Sequence, residues 1–218
     1  MNDEHNQDDR NCWAVSVTPI VLAGGGSERF GPEPKSLATV QDQPMIARIV
    51  DAVRAATGRT PVVAVGDPEK QFVVDPVLSP LVRYRYDVEW GRGPLAGIAG
   101  AIGAVETDAV FVCGCDMPQL DPSAVEWLVG EYASRPAAAI IPANDAGHHP
   151  LHAVYDCRAL ERYCSQQPSD LRLQRLVSEL DATVVQDQDA PDRVPLNRSV
   201  SNTNTQAELC AVRTRISD

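Results

Sequence analysis

Between residues 13 and 187 the chain repeats one pattern: an unbroken apolar run, a turn of small or polar residues, then a stretch with helical spacing. Apolar runs of strand length, with no polar alternation, are what a strand needs when helices cover both faces of a parallel sheet. The strands read in this way are WAVSVTPIVLA (13–23), PVVAV (61–65), DAVFVCG (108–114), AAAIIPA (137–143), PLHAVY (150–155) and ATVVQD (182–187), with LVRYRY (81–86), which Arg83 and Arg85 interrupt, as a further strand. Between them, Ile46, Ile49, Val50 and Val53 mark one face of a helix that Gly58 is placed to end. PLAGIAGAIGAV (94–105) reads as a helix whose small residues allow close packing on a sheet, and Asp121 with Pro122 reads as the capped start of another. Helical patterns follow at 156–165 and 169–180, with an amphipathic helix near 205–214. This alternation predicts a three-layer α/β/α, Rossmann-like fold with a mostly parallel sheet and right-handed crossovers. No repeat or composition break divides it, so one domain is expected over 14–218, behind a flexible acidic tail at 1–13.

Charge removes several classes of function. Lys+Arg is 19 and Asp+Glu is 30, a net charge of −11, and no basic cluster offsets it. Such a chain repels nucleic acid and anionic membrane alike. No apolar run reaches the roughly 20 residues of a membrane span, and MNDEHNQDDRN is the opposite of a secretory leader, so a cytoplasmic address is expected. Lysine occurs only at 35 and 70. An acidic surface almost without lysine suggests a salt-rich, halophilic cytoplasm, where self-repulsion is screened. The 6 cysteines form no CxxC pair and read as small buried residues in the reduced state.

In an open parallel sheet, ligands bind beyond the carboxyl ends of the strands. The first strand delivers Leu22-Ala23-Gly24-Gly25-Gly26 and, a little further on, Arg29 and Lys35. The second delivers Gly66 and Asp67, the third Asp87 and then Gly93-Pro94, the fourth Cys115-Asp116-Met117-Pro118. His149-Pro150 and Asn202-Thr203-Asn204 follow later in the chain. A glycine turn lets backbone N–H groups approach an anion. It is no Walker A loop, which needs Lys at 32 where Pro32 stands, and no dinucleotide fingerprint, which needs Gly at 29. Arg29 and Lys35 suit triphosphate oxygens and a leaving pyrophosphate. Asp116 reads either as a turn residue or as a ligand for a hard cation, and Mg²⁺ characteristically takes one or two carboxylates beside phosphate oxygens.

These motifs resemble a known family. LAGGGSERFG followed by Lys35, then GPLAGI, CDMP, HPLHAVY and NTNTQAEL, are similar in order to the molybdenum cofactor guanylyltransferases, over about residues 17–212. The resemblance implies a nucleotidyltransferase fold and a reaction in which GTP and the molybdopterin of the molybdenum cofactor give a guanine dinucleotide and pyrophosphate. It implies that Leu22, Ala23, Gly24 and Gly25 line the nucleotide site, that Lys35 contacts phosphate beside Arg29, and that Asp116 holds Mg²⁺. It places Asp67 and Asp87 near the nucleotide, and Gly93, Pro94, His149, Asn202 and Asn204 at the substrates. A molybdenum-insertion protein and an apo-molybdoenzyme are the partners it implies. The chain departs from the family pattern at Pro34, where an acidic residue usually precedes the lysine, at Phe30 and at Gln206.

The implied chemistry needs no general base, because a phosphate monoester nucleophile is already an anion. The protein has only to orient two anions and neutralise their repulsion. Two other readings share most of these residues: a sibling nucleotidyltransferase acting on adenosylcobinamide phosphate or transferring CMP, and a non-catalytic nucleotide-binding module. A zinc site among His148, His149 and His152 is disfavoured, since no cysteine joins them at ligand spacing. The aspartates of 181–192 read as a solvated edge lacking the glycine of a calcium loop.

Overall fold

A computed structural model describes residues 15–25, 34–135 and 137–217. The acidic tail and Arg29 lie outside the described residues.

The expected alternation of strands and helices is present. In chain order the elements are β1 (Val17–Leu22), a hairpin of β2 (Thr39–Val40) and β3 (Gln43–Pro44), α1 (Met45–Thr57), β4 (Val62–Ala64), α2 (Pro68–Leu78), β5 (Arg83–Arg85), α3 (Pro94–Ile102), β6 (Ala109–Gly114) and α4 (Pro122–Ser134). They continue with β7 (Ala139–Asn144), β8 (Gly147–His148), β9 (His152–Asp156), α5 (Cys157–Ser165), α6 (Leu173–Glu179), β10 (Ala182–Gln186), α7 (Leu196–Ser199) and α8 (Gln206–Ser217). The main sheet runs β10-β7-β9-β6-β1-β4-β5, with β8 attached to β7. Every pairing along this order is parallel except those of β9, which runs antiparallel to both β6 and β7. The sequence pattern of β9 is that of any doubly buried strand. Its direction follows from the tight β7–β8 reversal, which leaves no helix to carry the chain back across the sheet.

Successive residues of the central strands feed opposite layers. Val17 and Val21 of β1, Val63 of β4, and Phe111 and Cys113 of β6 join the core against α1 and α4. Ile20, Val62, Ala64, Val110 and Val112 join the core against α3 and α5. Each large aliphatic side chain so buried contributes roughly 1.5–3 kcal/mol. The glycines of α3 serve packing: a Cβ on Gly100 would stand 1.8 Å from the Tyr86 carbonyl oxygen.

Helix α2 and the C-terminal helix differ from the sequence reading, and β5 is not a buried strand but an edge strand with Arg83 and Arg85 exposed. Helix α2 fills a stretch that the apolar periodicity leaves blank, since Phe72, Val73 and Val77 are exposed while Val74 and Leu78 alone are buried. It forms because Asp67 caps it through a hydrogen bond from the Lys70 amide at 2.9 Å and Pro68 occupies the first turn. The C-terminal helix extends to Ser217, and Leu209 and Val212 bury against Ala38 and Val40 of the β2 edge.

Candidate active site

The turns after β1, β4 and β6 are tied together by backbone bonds just past the strand ends. The Ala23 amide donates to the Ala64 carbonyl at 2.7 Å, the Cys115 amide to Leu22 at 3.0 Å, and the Asp87 amide to Gly66 at 3.2 Å. Gly24 and Gly66 meet back to back: a Cβ on Gly24 would lie 3.2 Å from the Gly66 nitrogen, and Gly66 itself has φ +81°. Only glycine meets both demands without strain.

A cleft of about 380 Å³ opens over these turns. Leu22, Ala23, Gly24, Gly25, Lys35, Asp87, Gly93, Pro94, Asp116 and Asn204 all line it. Lys35 Nζ lies 3.0 Å from Asp116 Oδ2 and donates to Asn204 Oδ1 at 2.9 Å. The pair is partly covered, with side-chain exposures of 15% and 25%. Asn204 is held by a reciprocal cap at the start of α8. There Glu208 Oε2 accepts from the Asn204 and Thr205 amides at 2.5 and 2.9 Å, and Thr205 Oγ1 accepts from the Glu208 amide at 3.2 Å. Those bonds hold the Glu208 carboxyl below its ordinary range, the Asn204 amide being the largest influence. The Thr203 amide donates to the Asp116 carbonyl at 2.8 Å, which docks this late segment onto the tip of β6.

Gly114 leaves the space that Asp116 uses. A Cβ there would stand 2.5 Å from Asp116 Oδ1, so the carboxylate folds back over a residue without a side chain. Among the described residues no group of three or more His, Cys, Asp or Glu side chains could enclose a metal ion. One carboxylate facing a cleft is nevertheless the donor set that suits Mg²⁺ when phosphate oxygens and water complete its shell. Cys115 lines the same cleft as a neutral thiol, pushed up to about 12 by burial and by the adjacent Asp116 charge.

The remaining expected residues are dispersed. Asp67 faces an adjoining cavity of about 410 Å³, where it stands with Lys70 and Asp87. Burial raises the Asp87 carboxyl, and the Lys70 charge works against that rise. His149 does not line the cleft; its Nε2 lies 2.8 Å from Asn144 Oδ1, and Leu151 takes the cleft-lining place. Asn202 is exposed and stands apart from the lining. His152 is fully buried, edge-on to Phe111, with its Nε2 3.3 Å from Ser199 Oγ. Lys70 escaped the sequence reading, although its rarity was a usable signal: both lysines of the chain reach this region.

Fold and cleft are those of a nucleotidyltransferase. The MobA-like NTP transferase domain profile matches residues 19–192. A probable molybdenum cofactor guanylyltransferase of Natronomonas pharaonis is 30% identical over 92% of this chain and 98% of its own. Among solved structures, molybdopterin-guanine dinucleotide biosynthesis protein A of Archaeoglobus fulgidus superposes with a TM-score of 0.76 at 22% identity, covering 92% of this chain and 99% of that one. A manganese complex of Rv0371c from Mycobacterium tuberculosis has a TM-score of 0.67 at 13% identity, over 92% and 99%. The chain belongs to the MobA-like NTP transferase family. None of its described helices is long and apolar enough to cross a membrane.

Proposed function

We infer that the protein transfers GMP from GTP to the terminal phosphate of molybdopterin, giving the guanine dinucleotide form of the molybdenum cofactor and pyrophosphate. The observation that carries this reading is the meeting of Lys35, Asp116 and Asn204 beside the Leu22–Gly25 turn. A phosphate oxygen of the acceptor attacks the α-phosphorus, the new P–O bond forms, and the bond to the bridging oxygen of pyrophosphate breaks. No proton need be removed. Lys35 orients the triphosphate and offsets the charge gathering on the leaving group. The turn amides after β1 offer donors to the nucleotide, and Asn204 holds the lysine toward it. Asp116 is the residue that would hold Mg²⁺, which would supply charge neutralisation and alignment of phosphate oxygens. Arg29 would add a second cation from the same loop.

The test incubates the full chain with each labelled nucleoside triphosphate, Mg²⁺ and either molybdopterin or adenosylcobinamide phosphate, and measures pyrophosphate release and dinucleotide formation. Turnover with GTP and molybdopterin is expected. Turnover only with cobinamide phosphate, or with CTP, points to a sibling transferase, and nucleotide binding without release to a non-catalytic module.

A further inference from the structure

The cleft and its neighbouring cavity share Gly24, Asp87 and Gly93, so they form one groove. Lys35 lines only the first part and Lys70 only the second, which sets the chain's two lysines at different stations along it. A nucleoside triphosphate is laid out as phosphates, ribose and base. Phosphates at Lys35 leave the second part of the groove open to the base.

The chemistry of that second part is selective. Lys70 is anchored: its ammonium donates to the Gly24 carbonyl and lies 3.8 Å from Asp67 Oδ2. Its place is tight against the glycine contact, since a Cβ on Gly66 would stand 3.2 Å from Nζ. A Cβ on Gly24 itself would lie 3.4 Å from Asp87 Oδ1. The groove thus offers a donor-only ammonium and an acceptor-only carboxylate beside one backbone turn. Guanine presents the complement, an acceptor at O6 beside donors at N1 and N2. Adenine and cytosine each put an amino group where guanine has O6, and an ammonium has nothing to offer an amino group.

We propose that Lys70 is a specificity-determining residue that donates a hydrogen bond to the O6 of the purine base, with Asp87 accepting from its N1 and N2 edge. An anchored ammonium loses little freedom on making this bond, and a site built around it rejects bases that lack the acceptor. The proposal rests on GTP being the nucleotide, and its test reads binding without any acceptor.

The experiment measures equilibrium binding of GTP, 6-thio-GTP and ITP, in Mg²⁺, to the full chain and to Lys70→Met by titration calorimetry. Replacing O6 by sulfur weakens the acceptor alone, whereas ITP lacks only the N2 amine. Wild type is expected to bind GTP about tenfold or more tightly than 6-thio-GTP, the scale of a hydrogen bond to a charged group. In Lys70→Met the GTP and 6-thio-GTP affinities converge to within twofold, while the GTP-to-ITP ratio stays at its wild-type value. Loss of the tie to Gly24 weakens all three nucleotides by a common factor and cancels from both ratios. Lys70→Gln, keeping a neutral donor, recovers part of the O6 discrimination. An equal loss for all three nucleotides, with the wild-type ratios preserved, overturns the proposal and leaves Lys70 as a prop for the turn. So does a wild type indifferent to O6. Selective GTP binding without transfer to molybdopterin would instead defeat the proposed reaction and leave the base reading standing.

Discussion

Lys35 and Asn204 are 169 positions apart in sequence, yet the lysine Nζ donates to the asparagine Oδ1 at 2.9 Å. The contact closes the cleft between the segment after β1 and the segment before α8, and it leaves the ammonium beside Asp116 on the cleft wall.

Replacing Lys35 by Met, or Asp116 by Asn, is expected to lower guanylyl transfer by about a hundredfold or more, the usual scale for losing a charged group that acts on the transition state. Stability should change by no more than about 1 kcal/mol, because the ion pair is partly open to solvent. Steady-state kinetics beside urea unfolding checks this. A collapse of stability in either variant would assign the pair to the fold and not to the reaction.

Gly114→Ala is expected to damage the site selectively. The new methyl group would stand 2.5 Å from Asp116 Oδ1, so the carboxylate must swing away, while β6 keeps its backbone pairing. The apparent Mg²⁺ requirement for turnover should rise at least several-fold with little change in the far-ultraviolet spectrum. An unaltered Mg²⁺ titration would show that Asp116 acts elsewhere.

Acid should weaken the fold through His152, which burial pulls down to about 3. The unfolded chain holds a proton on this ring below about pH 6.5, while the folded chain does not until about pH 3. Stability is therefore complete above pH 6.5 and declines as pH falls through that window, by up to about 1.4 kcal/mol per pH unit from this group. Urea unfolding at several pH values checks it, and His152→Phe should flatten the dependence between pH 6.5 and 5. An equally steep decline in that variant would move the cause to other groups.

Salt should stabilise the protein. With a net charge of −11 and only two lysines, repulsion among surface carboxylates is screened as ions are added. The melting temperature is expected to climb between dilute buffer and molar KCl. A flat or falling curve would remove the inference of a salt-rich habitat.

Much of this was legible in the chain itself. The unbroken runs of β1, β4 and β6 revealed strands buried on both faces, because no polar residue there had water to face. The cap at Asp121, the helical stripe from Ile46 to Val53 and the small-residue helix α3 were equally plain, since each is a local consequence of backbone geometry and side-chain size. Lys35, Asp116 and the glycine turn could be assembled on one rim from their places beyond the carboxyl ends of the strands.

Other features depend on contacts that no local window contains. Helix α2 is held by a cap and a proline and shows scarcely any apolar stripe, so periodicity could not reveal it. The reversal of β9 was settled by the β7–β8 turn, because burial imposes composition on a strand but not direction. His149 and Asn202 share the rim's sequence neighbourhood without lining the cleft, whereas Lys70 enters the groove from a helix whose place only packing establishes. Residue type and spacing thus determined which chemistry the chain can carry. Which of those side chains meet was decided by tertiary structure, because bringing groups 81 or 169 positions apart to within 3.0 Å requires the packed sheet to hold both ends.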